Sequence, residues 1–111
     1  MSDDEARAVR AAENQNLFRT VNERVSDLNS AASFSEVTEW VCECADPACT
    51  ERISMTVDEY EALRSDGNSF AVAHGHELID VEDVGASTDR YLVVSKRSAG
   101  ADKARRLDPR S

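Results

Sequence analysis

Apolar side chains recur at alternating steps of three and four near the start of the chain: Phe18, Val21, Val25, Leu28 and Ala32. Ala11 and Asn14 fall in the same register. Such a stripe is the mark of an amphipathic helix seated on a neighbour, and it predicts one helix over residues 3 to about 31. Ser2-Asp3-Asp4-Glu5 reads as a capping box, and its acids crowd the first turn, where the helix dipole favours them. Asn14, polar within the seam, would fix register at a cost in stability. Leu17 widens one flank. The stripe can face this chain's own domain, or it can face another chain, either a second copy or a different protein. Phe18, Val21, Val25 and Leu28 are therefore the candidate interaction residues.

Residues 33–38 (SFSEVT) read as a linker, after which the period shortens to two. Residues 38–44 alternate as a strand, and residues 52–57 (RISMTV) form a second β-rich run. Thr56-Val57-Asp58-Glu59 is another capping box and opens a short helix through Tyr60, Leu63 and Arg64. Residues 65–68 (SDGN) end it, with Gly67 suited to a left-handed cap. A third strand starts at residues 70–72 and a loop follows at 74–77. Residues 81–84 suggest another short strand, 85–89 a turn, and 90–95 (RYLVVS) the clearest strand of all. The fold class expected is α+β: a long N-terminal helix, then a small zinc-stapled β-rich domain with one short helix. Its divisions fall at 1–35 for the helix and linker, 36–96 for the zinc-binding domain, and 97–111 for a tail.

Charge sharpens this division. Residues 97–111 carry five Lys or Arg against two Asp, a net +3, so the rest of the chain carries −12 out of a total of −9. A body of that sign repels phosphate backbones, which argues against nucleic acid as a partner. The tail, rich in Ser, Gly, Ala and charge, reads as disordered. No apolar run approaches the roughly 18 residues needed to span a bilayer, so no membrane is expected. The opening MSDDEARAVR lacks a basic segment followed by an apolar one, so no signal peptide is expected either. These readings point to a cytoplasmic protein.

All three cysteines lie in the stretch WVCECADPAC, at Cys42, Cys44 and Cys49. An odd number within eight positions suits metal or redox chemistry in a reducing compartment better than a disulfide framework. Cys42 and Cys44 are two apart on a predicted strand, so both thiols leave the same face. Asp46-Pro47 is a turn dipeptide that can return Cys49 to that point. A tetrahedral zinc ion needs a fourth ligand, Cys or His. No cysteine remains, and the only histidines are His74 and His76, together in one loop. The residues alone leave the two histidines nearly equal. Glu43, Asp46 and Glu51 flank the thiols and would raise their pKa values in the absence of a metal.

The run CECADPACTERISMTVDEYEALRSDGNSFAVAHGHE resembles a group of small bacterial proteins. They carry a C-E-C-x4-C segment, a helix of the T-x-x-E-Y-E type and a strand ending in G-H-E. Their N-terminal helix contains a stretch like Phe18-Arg-Thr-Val-Asn-Glu-Arg-Val25. The resemblance covers roughly residues 13–96 and implies His76 as the fourth ligand. At the position of His74 the group tends to have proline, and here the chain departs from it. No activity comes with the resemblance.

Catalytic motifs do not emerge. The zinc deaminases need H-x-E and P-C-x-x-C, and the order His74-Gly75-His76-Glu77 with Pro47-Ala48-Cys49 matches neither. No H-E-x-x-H, G-x-S-x-G or phosphate-cradling glycine loop occurs. The expectation is a non-enzymatic module with structural Zn²⁺ held by Cys42, Cys44, Cys49 and His76 (His74 as the alternative), binding a protein partner through its helix. A thiol redox switch, in which cysteine oxidation releases zinc, is the other reading.

Overall fold

A computed structural model describes residues 2–29 and 36–110. The elements, in order, are α1 (Asp3–Asn29), β1 (Val37–Val41), β2 (Arg52–Thr56), α2 (Val57–Leu63), β3 (Ser69–Val72), β4 (Glu82–Ser87), β5 (Leu92–Lys96) and α3 (Ser98–Leu107). The class is α+β. β1 and β2 form an antiparallel hairpin in which Trp40 faces Ile53. The second sheet is antiparallel with order β3-β5-β4, and a register shift between Val84 and Ala86 marks a bulge. β4 thus runs through the stretch read as a turn, since a bulge lets a strand absorb Gly85 without losing its partner. Ala32 and residues 33–35 of the expected linker lie outside the described residues, and Val37 and Thr38 already belong to β1.

Both faces of β3 are covered. Phe70 and Val72 pack with Leu92, Val94, Ala12 and Ala104, under the two long helices. Ala71 faces the other way, into a cluster with Trp40, Met55, Tyr60 and Tyr91. Trp40 stacks on Tyr60 with ring centroids 4.3 Å apart, and its indole N–H donates to the Met55 carbonyl, so a large aromatic is buried with its one polar atom satisfied. The capping box of α2 forms in full: the Glu59 N–H donates to Thr56 Oγ1, and the Thr56 N–H to the Glu59 carboxylate. Gly67 has another role than the left-handed cap expected of it. Its φ is not positive, and any Cβ there would collide with the Asp108 carboxylate.

α1 is seated on a face that its apolar residues do not mark. Ala8, Ala11, Ala12, Gln15, Arg19, Asn22 and Ser26 are buried, whereas Leu17, Val21 and Leu28 are exposed, Leu28 at 76%. Phe18 and Val25 lie between, half-buried. The buried seam keeps the three-and-four spacing but is displaced around the helix. The reason is hydrogen bonding. Asn14 donates to the Ala45 carbonyl, Gln15 to Glu43 O and Asn22 to Val41 O, while the Val41 N–H donates to Asn22 Oδ1. The edge of β1 and the segment after it carry backbone groups that must find partners when buried, and these amides supply them.

The basic tail is not disordered: residues 98–107 form α3, which packs along α1. Its small residues are what bring it in. Gly100 approaches so closely that a Cβ would stand 3.3 Å from the Ala8 carbonyl oxygen, and Ala101 and Ala104 are buried. Arg19 then closes the junction. It donates to Ala104 O at 2.8 Å and to Gly67 O at 2.6 Å, and its guanidinium lies 4.5 Å from the Phe70 ring centroid. An arginine on the Ala104 carbonyl, in the last turn of α3, also suits the negative end of that helix.

Candidate metal centre

The three thiols and one imidazole come together where the hairpin meets the second sheet. Past Val41 the chain leaves regular pairing but stays extended. The Cys42 N–H donates to Glu51 O at 3.2 Å, and the Glu43 N–H to Ala71 O at 2.8 Å. Residues 42–44 therefore bridge the hairpin to β3, and their alternation sends Cys42 and Cys44 to one side and Glu43 to the other. Asp46 makes the turn: its Oδ1 accepts the Ala48 N–H, and its carbonyl accepts the Cys49 N–H. The fourth residue comes from the end of β3. The His76 N–H donates to Ala73 O, and Gly75 adopts φ +88°, a conformation that glycine takes without strain.

One ligand atom from each of Cys42, Cys44, Cys49 and His76 lies within 4.8 Å of the other three. His76 Nδ1 stands 3.6 Å from Cys42 Sγ and 3.5 Å from Cys49 Sγ. This group can hold a metal ion. His74, which the residues alone left as an alternative, is elsewhere: its Nε2 is 2.6 Å from Thr88 O, on the exposed side of the loop. A backbone N–H also reaches the cluster, with Ala73 N 3.2 Å from Cys42 Sγ.

The thiols differ in acidity when no ion is bound. A hydrogen bond to Cys44, together with burial, pushes Cys42 up. Burial also raises Cys49. Cys44, receiving the Cys42 bond and others from its neighbours, is pulled down to about 5. The flanking acids were expected to raise all three. The leading causes are instead the burial of the thiols and the bond between Cys42 and Cys44, which acts in opposite directions on the two.

Sequence reasoning missed the residues behind the cluster. Glu43 is fully buried. Its Oε1 accepts the Ala71 N–H at 3.0 Å, and its Oε2 accepts Asn22 Nδ2 at 2.9 Å and the Tyr60 hydroxyl at 3.1 Å. Burial pushes its pKa up and these donors pull against it. The alternation of C-E-C was the available signal, since thiols on one face place Glu43 on the other. Beside the cluster an open cleft of about 320 Å³ is lined by Cys44, Asp46, His76 and Glu77.

The chain matches no protein-family model, no curated protein and no solved structure. Among the described residues no helix is long and apolar enough to cross a membrane.

Proposed function

We propose that this chain is a small zinc-binding protein that acts as a protein-interaction or regulatory module, with a structural ion and with α1 as its partner surface. One observation carries the metal reading. A zinc ion with Zn–S of about 2.3 Å and Zn–N of about 2.0–2.1 Å has tetrahedral S···N edges of about 3.6 Å. The two S···N separations here are 3.6 and 3.5 Å. Three sulfurs and one imidazole are also a ligand set that zinc prefers, and four protein ligands leave no open position for a substrate. On this reading the ion is structural and does no catalysis. All three cysteines are free thiols, which suits a reducing cytoplasm.

The partner surface is the outer face of α1. Leu17, Val21 and Leu28 are exposed there, and the half-buried Phe18 and Val25 border them. Val21→Glu combined with Leu28→Glu removes this stripe without touching the buried seam. Zinc content and thermal midpoint are expected to stay at wild-type values while association, followed by sedimentation or pull-down from the native cell extract, is lost. Association that survives the double substitution contradicts the surface.

The redox reading has one observation in its favour. Cys49 is only partly buried, and its sulfur lies in one cluster with those of Cys42 and Cys44. Mild peroxide would take two electrons from a pair of these cysteines, form one disulfide and release the ion, and a thiol reductant would reverse the change. Zinc retained through peroxide treatment leaves the structural role alone.

A further inference from the structure

Glu43 is more than a buried acid near a metal centre. It is the residue between two ligands, and every polar atom it has is spoken for. Its N–H and Oε1 both bind the Ala71 backbone, at 2.8 and 3.0 Å, so it pairs with β3 as if main chain and side chain were two rungs of a ladder. Its Oε2 is clamped between Asn22 of α1 and Tyr60 of α2, and its carbonyl accepts Gln15 Nε2 of α1 at 3.0 Å. Asn22 holds Val41 from both sides as well, through N–H and C=O. Asn14 takes the Ala45 carbonyl beyond Cys44. The backbone from 41 to 45 is thus gripped by one helix face at three points along its length, while Cys42 and Cys44 project to the side away from the Glu43 carboxylate.

We propose that Glu43, Asn22 and Tyr60 are positioning residues for the metal centre: α1 and α2 set the angle between the Cys42 and Cys44 thiols through Glu43, so that metal loading and docking of α1 reinforce one another. The inference rests on the metal reading above and adds which residues tune the ion. Partners that orient ligand-bearing groups govern metal affinity about 10- to 100-fold. Coupling between two sites is reciprocal, so an ion that α1 helps to bind must in turn hold α1 down. The polar seam of α1 then has a purpose that an apolar seam could not serve. Gln15 and Asn22 read main-chain groups at fixed points, whereas leucines would leave the strand free to slide or twist.

The experiment uses the full chain with Co²⁺ as a spectroscopic probe and Zn²⁺ measured by chelator competition. Tyr60→Phe removes only the hydroxyl, and Asn22→Leu removes the bonds to Val41 and Glu43. Arg64→Met is the control, because Arg64 bonds Glu23 and Asp108 and none of residues 41–45. Tyr60→Phe and Asn22→Leu are expected to weaken zinc about tenfold or more and to shift the cobalt ligand-field bands. Arg64→Met lowers the unfolding midpoint but keeps the wild-type spectrum and affinity. Adding zinc to the wild type should slow amide exchange over residues 15–22. Wild-type affinity and spectrum in both Tyr60→Phe and Asn22→Leu would overturn the inference while leaving the metal reading intact, as would α1 exchange indifferent to zinc. A wild-type chain that binds neither cobalt nor zinc overturns both.

Discussion

A carboxylate taken out of water costs several kcal/mol unless donors meet it. Glu43 is met by three, and the result is an acid that organises the interior. Glu59 shows the same balance at the surface. Partial burial alone would raise its pKa, but the Tyr91 hydroxyl, the Thr56 N–H and Arg90 pull it down to about 2 from an ordinary 4.5. A depressed carboxyl stabilises the fold above its unfolded-state value and loses that contribution as pH falls through the folded one. Stability should therefore decline as pH drops from about 4.5 towards 2, and Tyr91→Phe should make that decline shallower in acid-titrated unfolding curves. Residue identity narrowed the candidate cluster to three cysteines and one of two histidines, and it did not choose between His74 and His76. What the residue types could not give was Glu43. A charged side chain beside two cysteines reads as solvent-exposed until the alternation of the strand is tied to which side is core.

Secondary structure followed the sequence where a local signal exists and departed from it where tertiary contacts decide. The capping box at Thr56, the turn at Asp46 and the strand of residues 92–96 all rest on short-range chemistry, and all are present. α1 starts as its cap dictates, with the Glu5 N–H donating to Ser2 Oγ. Periodicity left its orientation open, and the structure divides the apolar stripe: Ala11 is buried, Phe18 and Val25 are half-buried, and Val21 and Leu28 are exposed. Ala, Gln, Arg, Asn and Ser at 8, 12, 15, 19, 22 and 26 carry the same spacing, but hydropathy cannot see a seam that binds by hydrogen bonds. α3 was missed for a related cause: small residues look like disorder until a second helix is there for them to approach. Gly100→Leu should force α3 away from Ala8 and cost about 2 kcal/mol by overpacking, seen as a lower denaturation midpoint and faster exchange over residues 98–107. A buried ion pair offers a second test at this junction. Lys96 Nζ donates to Gln15 Oε1 at 2.7 Å and to Glu82 at 3.1 Å, all three residues being buried. Lys96→Met removes the cation paired with Glu82, leaving its buried charge to Gln15 Nε2 and the Leu78 N–H, and should cost about 3 kcal/mol in urea unfolding. Adding Glu82→Gln should recover part of the loss.

Seen as one molecule, the chain joins two small sheets through residues 42–44 and wraps them with helices that bury polar groups. A domain of this size has little apolar surface to spare, and an ion held by four residues from two separate stretches would staple the hairpin to β3. A net charge of −9 opposes contact with phosphate backbones, and the partner surface proposed above is the exposed strip of Leu17, Val21 and Leu28 on α1. The most direct measurement is zinc per chain, by elemental analysis of protein purified without added metal, for the wild type, His74→Ala and His76→Ala. One zinc per chain is expected in the wild type and in His74→Ala, because His74 faces Thr88, with zinc lost or much weakened in His76→Ala alone. A folded wild-type chain with no zinc and three titratable thiols would contradict the metal reading, and so would a site that fails with His74 instead of His76.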